Sequence, residues 1–327
     1  MVIVWTCILV LLEAAVIWKL AGRLRAAAWE SSRLRKQMAV IQNRLAGYSK
    51  FVPEKVFEIL ERQDITEVRV GDQKELETGV MMVSSRRFKE LARIMDGEEL
   101  YGMINQMYQG MIPVILKYGG MIDQMVESGV RACFVSGSAE ALRAAVSICE
   151  LVNRWRQEGE ILPVFRIAIV YGPAKIGIIG QEERASALVI SEIMTVSEFL
   201  VDMGEKYGAR ILVTAAAAGQ IPEFQTSFHV RLLGNVYMKL TDTVEAVYDV
   251  YDGDEQEKRR LKSDTAQLFD QAVKSFMDGE FYEAREKFAK VLRKNRFDKA
   301  AREYIFRCDE YYQNKETAGP ELYLESC

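Results

Sequence analysis

The chain has 327 residues, 49% hydrophobic and 28% charged, with 43 basic side chains against 47 acidic ones and a net charge of −4. That mix excludes a disordered chain, and the mild acidity argues against a general electrostatic affinity for nucleic acid. One histidine, His229, and five scattered cysteines without a CxxC pair exclude a multi-histidine metal site and give no sign of a zinc or disulfide framework.

The charge is unevenly spread. Residues 1–50 carry eight basic and two acidic groups, a net of +6, which leaves −10 on the other 277. Val2 to Trp18 is apolar except for Glu13, and with Leu20, Ala21 and Gly22 it approaches the roughly 20 residues of a membrane helix. A basic cluster follows and no charged side chain precedes it. Residues 1–22 are therefore expected to be a single-pass anchor in the inner or plasma membrane, with the bulk of the chain cytoplasmic. Residues 23–50 continue as a helix. An a/d seam runs through Ile17, Leu20, Leu24, Ala27, Ser31, Leu34, Met38, Ile41 and Leu45 in steps of three and four. That spacing suits a parallel coiled coil, and equally an amphipathic helix lying on its own domain. Pro53 ends the run.

Residues 51–252 alternate strand and helix signals. Gly79–Val83 reads as a buried strand and Glu98–Leu116 as a helix with Met103, Met107 and Met111 on its core face. Tyr118-Gly119-Gly120 is a turn and Arg131–Val135 a short strand. Ala139–Trp155 is an amphipathic helix, Val164–Val170 a strand, Ser191–Tyr207 a helix and Ala209–Thr214 a strand. The order predicts an α+β sandwich. Gly172 to Gly177 has P-loop glycine spacing, but Ile178-Ile179 stand where Lys and Ser/Thr are needed. Gly253 to Glu257 reads as a linker, and Lys258-Arg259-Arg260 with Lys262 as a solvated helix start. Residues 258–313 then give two helices broken at Gly279 and a third from Asp298 to Asp309. Residues 314–327 are expected to be a disordered tail.

Several of these stretches resemble one family in its own order. They are Phe51-Val52-Pro53, Phe88, Ile104-Asn105-Gln106-Met107-Tyr108, Lys117 through Asp123, Ala132-Cys133-Phe134, Arg166-Ile167-Ala168-Ile169, Gly172-Pro173 with Gly177 to Gly180, and Tyr207-Gly208 with Ile211-Leu212-Val213. Together they resemble the class III adenylate/guanylate (nucleotidyl) cyclase domain. The resemblance implies a ferredoxin-like βαββαβ core working as a dimer. Likewise Gly279 to Leu292 resembles part of a tetratricopeptide unit. One such unit cannot form a solenoid, so this tail is expected to pack on the preceding domain or on a partner.

An active family member needs Mg²⁺ or Mn²⁺, which are hard cations that prefer carboxylate oxygens. By resemblance the two metal aspartates fall on Ser84 and Ser128. Glu127 is one residue away, and strand alternation would aim it at the opposite face. The base-recognition positions fall on Gln124 and Ser186. The transition-state Asn and Arg fall on Thr195 and Phe199, and a phenyl ring supplies none of an arginine's charge. No catalytic, metal or cofactor-binding residue is therefore expected to function. The expectation is a homodimeric pseudo-cyclase with a regulatory or scaffolding role in intracellular signalling. A heterodimer with another cyclase-family chain, a divergent active cyclase making cyclic AMP or cyclic GMP, and a nucleotide sensor without turnover stay open.

Overall fold

The computed structural model describes residues 2–48, 54–63, 65–181, 184–239, 242–313 and 325–327, with side chains from 18–43 and from 55 onward. The chain divides into two units, residues 1–54 and 55–327.

The first unit holds α1, Val2–Tyr48, one helix of 47 residues. It spans the expected anchor and the expected coiled-coil segment without a break. Its seam residues Leu20, Leu24, Leu34, Met38 and Ile41 are all exposed. Among the described residues no helix is long and apolar enough to cross a membrane. Most of the anchor expected over residues 1–22 lies outside the described side chains, as do Ile17 and Leu45 of the seam. Phe51, Val52 and Pro53 lie outside the described residues altogether.

The second unit is built on one nine-stranded sheet. After α2 (Glu54–Ile59) come β1 (Gln73–Ser84), α3 (Phe88–Ile94), α4 (Gly97–Lys117), β2 (Met121–Val126), β3 (Gly129–Phe134), α5 (Ser138–Gln157) and β4 (Arg166–Gln181). These strands lie in the order β2-β3-β1-β4, with every neighbouring pair antiparallel. With α4 and α5 as connections this is a βαββαβ unit. The chain continues through β5 (Arg184–Ile190), α6 (Ile193–Tyr207), β6 (Ile211–Thr214), the short α7 (Ala215–Gly219) and α8 (Phe224–Ser227), and the hairpin of β7 (Val230–Met238) and β8 (Thr243–Val250). β5 folds back on β4, and β6 pairs with β4 in parallel.

The sheet is covered on both faces, so its strands read as apolar runs without strict alternation. Along β1, Val80 joins the core under α6 while Met81 and Val83 join the core under α4 and α5. Met103, Met107 and Met111 fill that second core as their spacing predicted. Asp96 starts α4 by accepting the Glu99 N–H at 2.9 Å, an ordinary N-cap.

Three helices close the chain: α9 (Gln256–Met277), α10 (Phe281–Lys294) and α11 (Lys299–Gln313). Gly279, at φ +78°, turns the chain between the first two, where a side chain would be strained. The helices pack on the sheet unit, α9 against β7 and α11 against α6. A buried ion cluster pins them there. Arg231 of β7 meets Asp249 of β8 at 2.9 Å and Asp298, just ahead of α11, at 2.6 Å. Its guanidinium also lies 4.1 Å from the centre of the Phe269 ring of α9. Lys262 corrects the solvated-start expectation: it is 6% exposed and pairs with Asp249 and Asp254 at 2.9 and 2.7 Å. A lysine buried against two carboxylates is a fastener of α9, not a surface charge.

The tail expected over residues 314–327 is described only at its end. There Glu325–Ser326 form β9, a short strand parallel to β7, so the last residues are paired and not disordered. The Glu325 carboxylate explains why. It takes hydrogen bonds from Lys206, from Tyr207 Oη at 2.8 Å and from Arg307 at 2.6 Å.

Candidate active site

The site expected from the sequence lies where β1 ends beside the β2–β3 turn. β1 pairs with β3 from Gly79 opposite Phe134 to Ser84 opposite Gly129. Val126 faces Gly129 across the next ladder, so Glu127 and Ser128 are the two loop residues of a tight hairpin. This corrects the strand-alternation reading of Glu127, because a two-residue turn does not alternate. Glu127 is exposed, and Ser128 turns its hydroxyl to β1 instead.

The two positions that matter for metal binding do come together. Ser84 Oγ lies 3.3 Å from Ser128 Oγ. The Ser85 N–H donates to the Ser128 carbonyl at 3.0 Å, which ties the turn to the strand end. Gly129 is what permits the approach: a Cβ there would meet the Val83 carbonyl oxygen at 1.9 Å. Tyr108 of α4 holds the turn from the other side, with its hydroxyl donating to the carbonyls of Val126 and, at 3.2 Å, Gly129. Burial, and then the charge of Glu127, push the Tyr108 phenol up, so it stays a donor.

These groups do not fit a divalent cation. Two serine hydroxyls in mutual hydrogen-bond range offer no negative charge, and hard cations are held by carboxylates. The acidic side chain of the family-like turn stretch, Asp123, is committed elsewhere. It sits at a break in the β2–β3 register between Ile122 and Gln124, and its side chain is 3% exposed and accepts Arg131 Nε at 2.7 Å. Among the described residues no group of three or more His, Cys, Asp or Glu side chains is placed to hold a metal.

The remaining positions are split. Gln124 on β2 and Ser186 on β5 are both exposed, on strands that approach each other. Ser186 Oγ donates only to the neighbouring Ala187 carbonyl, at 3.2 Å. Thr195 on α6 is exposed, while Phe199, one turn on, is half-buried and packs against the core. Phe199 thus adds a ring to the packing of α6 at the position where the resemblance would place a charge.

Charged residues that the motif comparison missed surround this region. Arg86 and Arg87 follow Ser84-Ser85, and both face the acids of α6. Arg86 forks onto Asp202, with Nη2 at 2.7 Å, and Arg87 lies 3.5 Å from Glu205. Glu205 is shared with Arg166 at 2.9 Å. Arg131 also lies 3.9 Å from Glu198, the residue before Phe199. The guanidinium groups near the site are thus answered by the protein's own carboxylates. Tyr108 had a signal, since it closes one of the family-like stretches. The arginine pairs had none, because their acids come from α6, 39 residues or more further along the chain.

The domain has counterparts among known proteins. No family model matches the chain. It is 24% identical over 232 residues to an adenylate cyclase of Anabaena cylindrica, a match covering 67% of this chain and 46% of that protein. It is 22% identical over 275 residues to the terminal-differentiation-specific adenylate cyclase of Dictyostelium discoideum, covering 82% of this chain and 13% of that one. The chain thus spans less than half the length of the curated relatives it matches. Among solved structures it resembles a bacterial light-regulated adenylyl cyclase with a TM-score of 0.59 and 16% identity. That likeness covers 73% of this chain and 69% of the other. It shows the fold, and the two sequence similarities support the cyclase family for this domain.

Proposed function

We propose that residues 51–252 are a class III cyclase-type domain without cyclase chemistry, acting as a regulatory or scaffolding module in intracellular signalling. One observation carries the reading: the strand end and hairpin turn converge as a metal site would need, yet they present Ser84 Oγ and Ser128 Oγ to each other at 3.3 Å. The chemistry would require two ions polarising a ribose hydroxyl and neutralising a triphosphate. Hydroxyls cannot retain such ions. The pairing of Arg86 with Asp202 supports the same reading, since it occupies a cation next to the site with an internal acid.

The module is a homodimer in this proposal. The exposed seam Leu20, Leu24, Leu34, Met38 and Ile41 along α1 supports a parallel coiled coil between two copies. Residues 1–22 serve as its membrane anchor, a reading supported by the apolar run from Val2 and the basic cluster after it.

Calorimetric titration of the full chain in detergent tests the loss of metal binding. With millimolar Mn²⁺ and ATP or GTP, no divalent-dependent heat of binding is expected. Saturable binding that requires Mn²⁺ would overturn the reading.

A further inference from the structure

A buried arginine away from the candidate active site has one unfilled edge. Arg210, just ahead of β6, is 5% exposed. Its Nη1 donates to Asn153 Oδ1 of α5 and, at 2.9 Å, to the Gly253 carbonyl in the segment leading to α9. Its Nε and Nη2 are sealed from solvent and have no hydrogen-bond partner among the described residues. Those two nitrogens form one side of the guanidinium plane. That side is the fork that takes both oxygens of a carboxylate or similar oxyanion. Buried N–H groups on a charged side chain are costly to leave unpaired, so the edge calls for an occupant.

Among the described residues the neighbouring carboxylates do not provide one. Asp254, beside Gly253, is held by Lys262 at 2.7 Å, and Asp249 by Arg231 and Lys262, each at 2.9 Å. Glu205 is taken by Arg166 and Arg87. A second guanidinium is close enough to feel the charge of Arg210. Arg156 lies three residues after Asn153 on α5, and its Nη2 donates to the carbonyls of Leu162 and Pro163 at 3.3 and 2.8 Å. Burial and then repulsion from Arg210 hold Arg156 below the usual arginine value, with Glu255 offsetting part of it and Arg166 adding to it. An anion here would therefore meet the field of a second guanidinium as well as a free fork.

We infer that the junction of α5, the start of β6 and the lead-in to α9 is a binding site for one small oxyanion, held by Arg210 Nε and Nη2. The site is independent of the cyclase-like reading. Because Arg210 also grips the Gly253 carbonyl, an occupied fork would fasten the C-terminal helices to the sheet.

The test is thermal unfolding of the full chain in detergent as sodium formate replaces sodium gluconate at constant ionic strength. Formate is a minimal carboxylate, and gluconate is a bulky one of the same charge. The unfolding midpoint should rise saturably with formate. At roughly ten times its dissociation constant the unfolding equilibrium constant should fall about tenfold. Arg210→Gln should abolish that dependence, whereas Arg260→Gln, which removes an exposed charge, should keep it. Hydrogen exchange on the unaltered chain gives a readout that needs no variant. Formate should slow amides in residues 150–157, 209–212 and 252–255 and leave those in 202–207 unchanged. Equal midpoints in formate and gluconate would overturn the proposal and indicate that water fills the fork. The same formate response in Arg210→Gln, or slowing spread evenly over the chain, would overturn it too.

Discussion

Ser84 Oγ and Ser128 Oγ lie 3.3 Å apart, one at the end of β1 and the other in the β2–β3 turn. The geometry that brings two side chains to one point is intact, and the charge that would make the point useful to a cation is missing.

Putting the charge back should expose this directly. In Ser84→Asp/Ser128→Asp two carboxylates would share a mostly buried site, so without metal the variant should lose roughly 1–3 kcal/mol of stability. Millimolar Mn²⁺ should restore much of that loss, while the single variants should respond weakly. Urea denaturation with and without Mn²⁺ reads it. A double variant as stable as the parent and indifferent to Mn²⁺ would mean that the two positions do not converge as described.

The hairpin that carries Ser128 depends on Tyr108. Tyr108→Phe removes the donor to the Val126 and Gly129 carbonyls. It should cost about 0.5–1.5 kcal/mol and speed hydrogen exchange across residues 126–130. Exchange unchanged there would contradict the role given to the hydroxyl.

The C-terminal helices hang on Arg231. Arg231→Met would leave Asp249 and Asp298 buried without their partner, which typically costs about 3–5 kcal/mol. Urea unfolding should then show α9 to α11 detaching early, visible as exchange at residues 265–305 below the main transition. A single transition shifted by under 1 kcal/mol would contradict this.

The same cluster sets an acid limit. Burial alone would raise the Asp298 carboxyl, but the charge and hydrogen bonds of Arg231 outweigh it and hold the group below its ordinary 3.8. A group depressed in the folded state contributes its full stability above the unfolded value. That contribution is lost as pH falls below about 4 through the folded value. The urea midpoint should therefore drop over that window, and Asp298→Asn should flatten the drop while lowering stability at pH 7. An equally steep acid limb in Asp298→Asn would place the titration elsewhere.

The sequence carried the parts of this fold whose signal is local. The Met103, Met107 and Met111 stripe, the Tyr118 to Gly120 turn and the Gly279 break are each set by periodicity or by a residue's backbone freedom, and each stands where expected. The family-like stretches also located Ser84 and Ser128 before their contact was visible. What stayed hidden was long-range pairing. Lys262 looks solvated until Asp249 and Asp254 arrive from the sheet and the linker. Glu325 looks like part of a loose tail until Lys206, Tyr207 and Arg307 converge on it. Phe199 looks like a damaged catalytic position, and only the core around α6 shows what the ring does. Strand length was also underread: β4 runs from Arg166 to Gln181, because its glycines lie against β1 and β5 instead of ending the strand.

The most direct measurement is a cyclase assay on the full chain in detergent or lipid, with ATP and GTP and with Mg²⁺ and Mn²⁺ each at millimolar concentration. Loss of the metal carboxylates predicts cyclic AMP and cyclic GMP no higher than in protein-free controls. Divalent-dependent product that falls on changing Thr195 or Gln124 would contradict it.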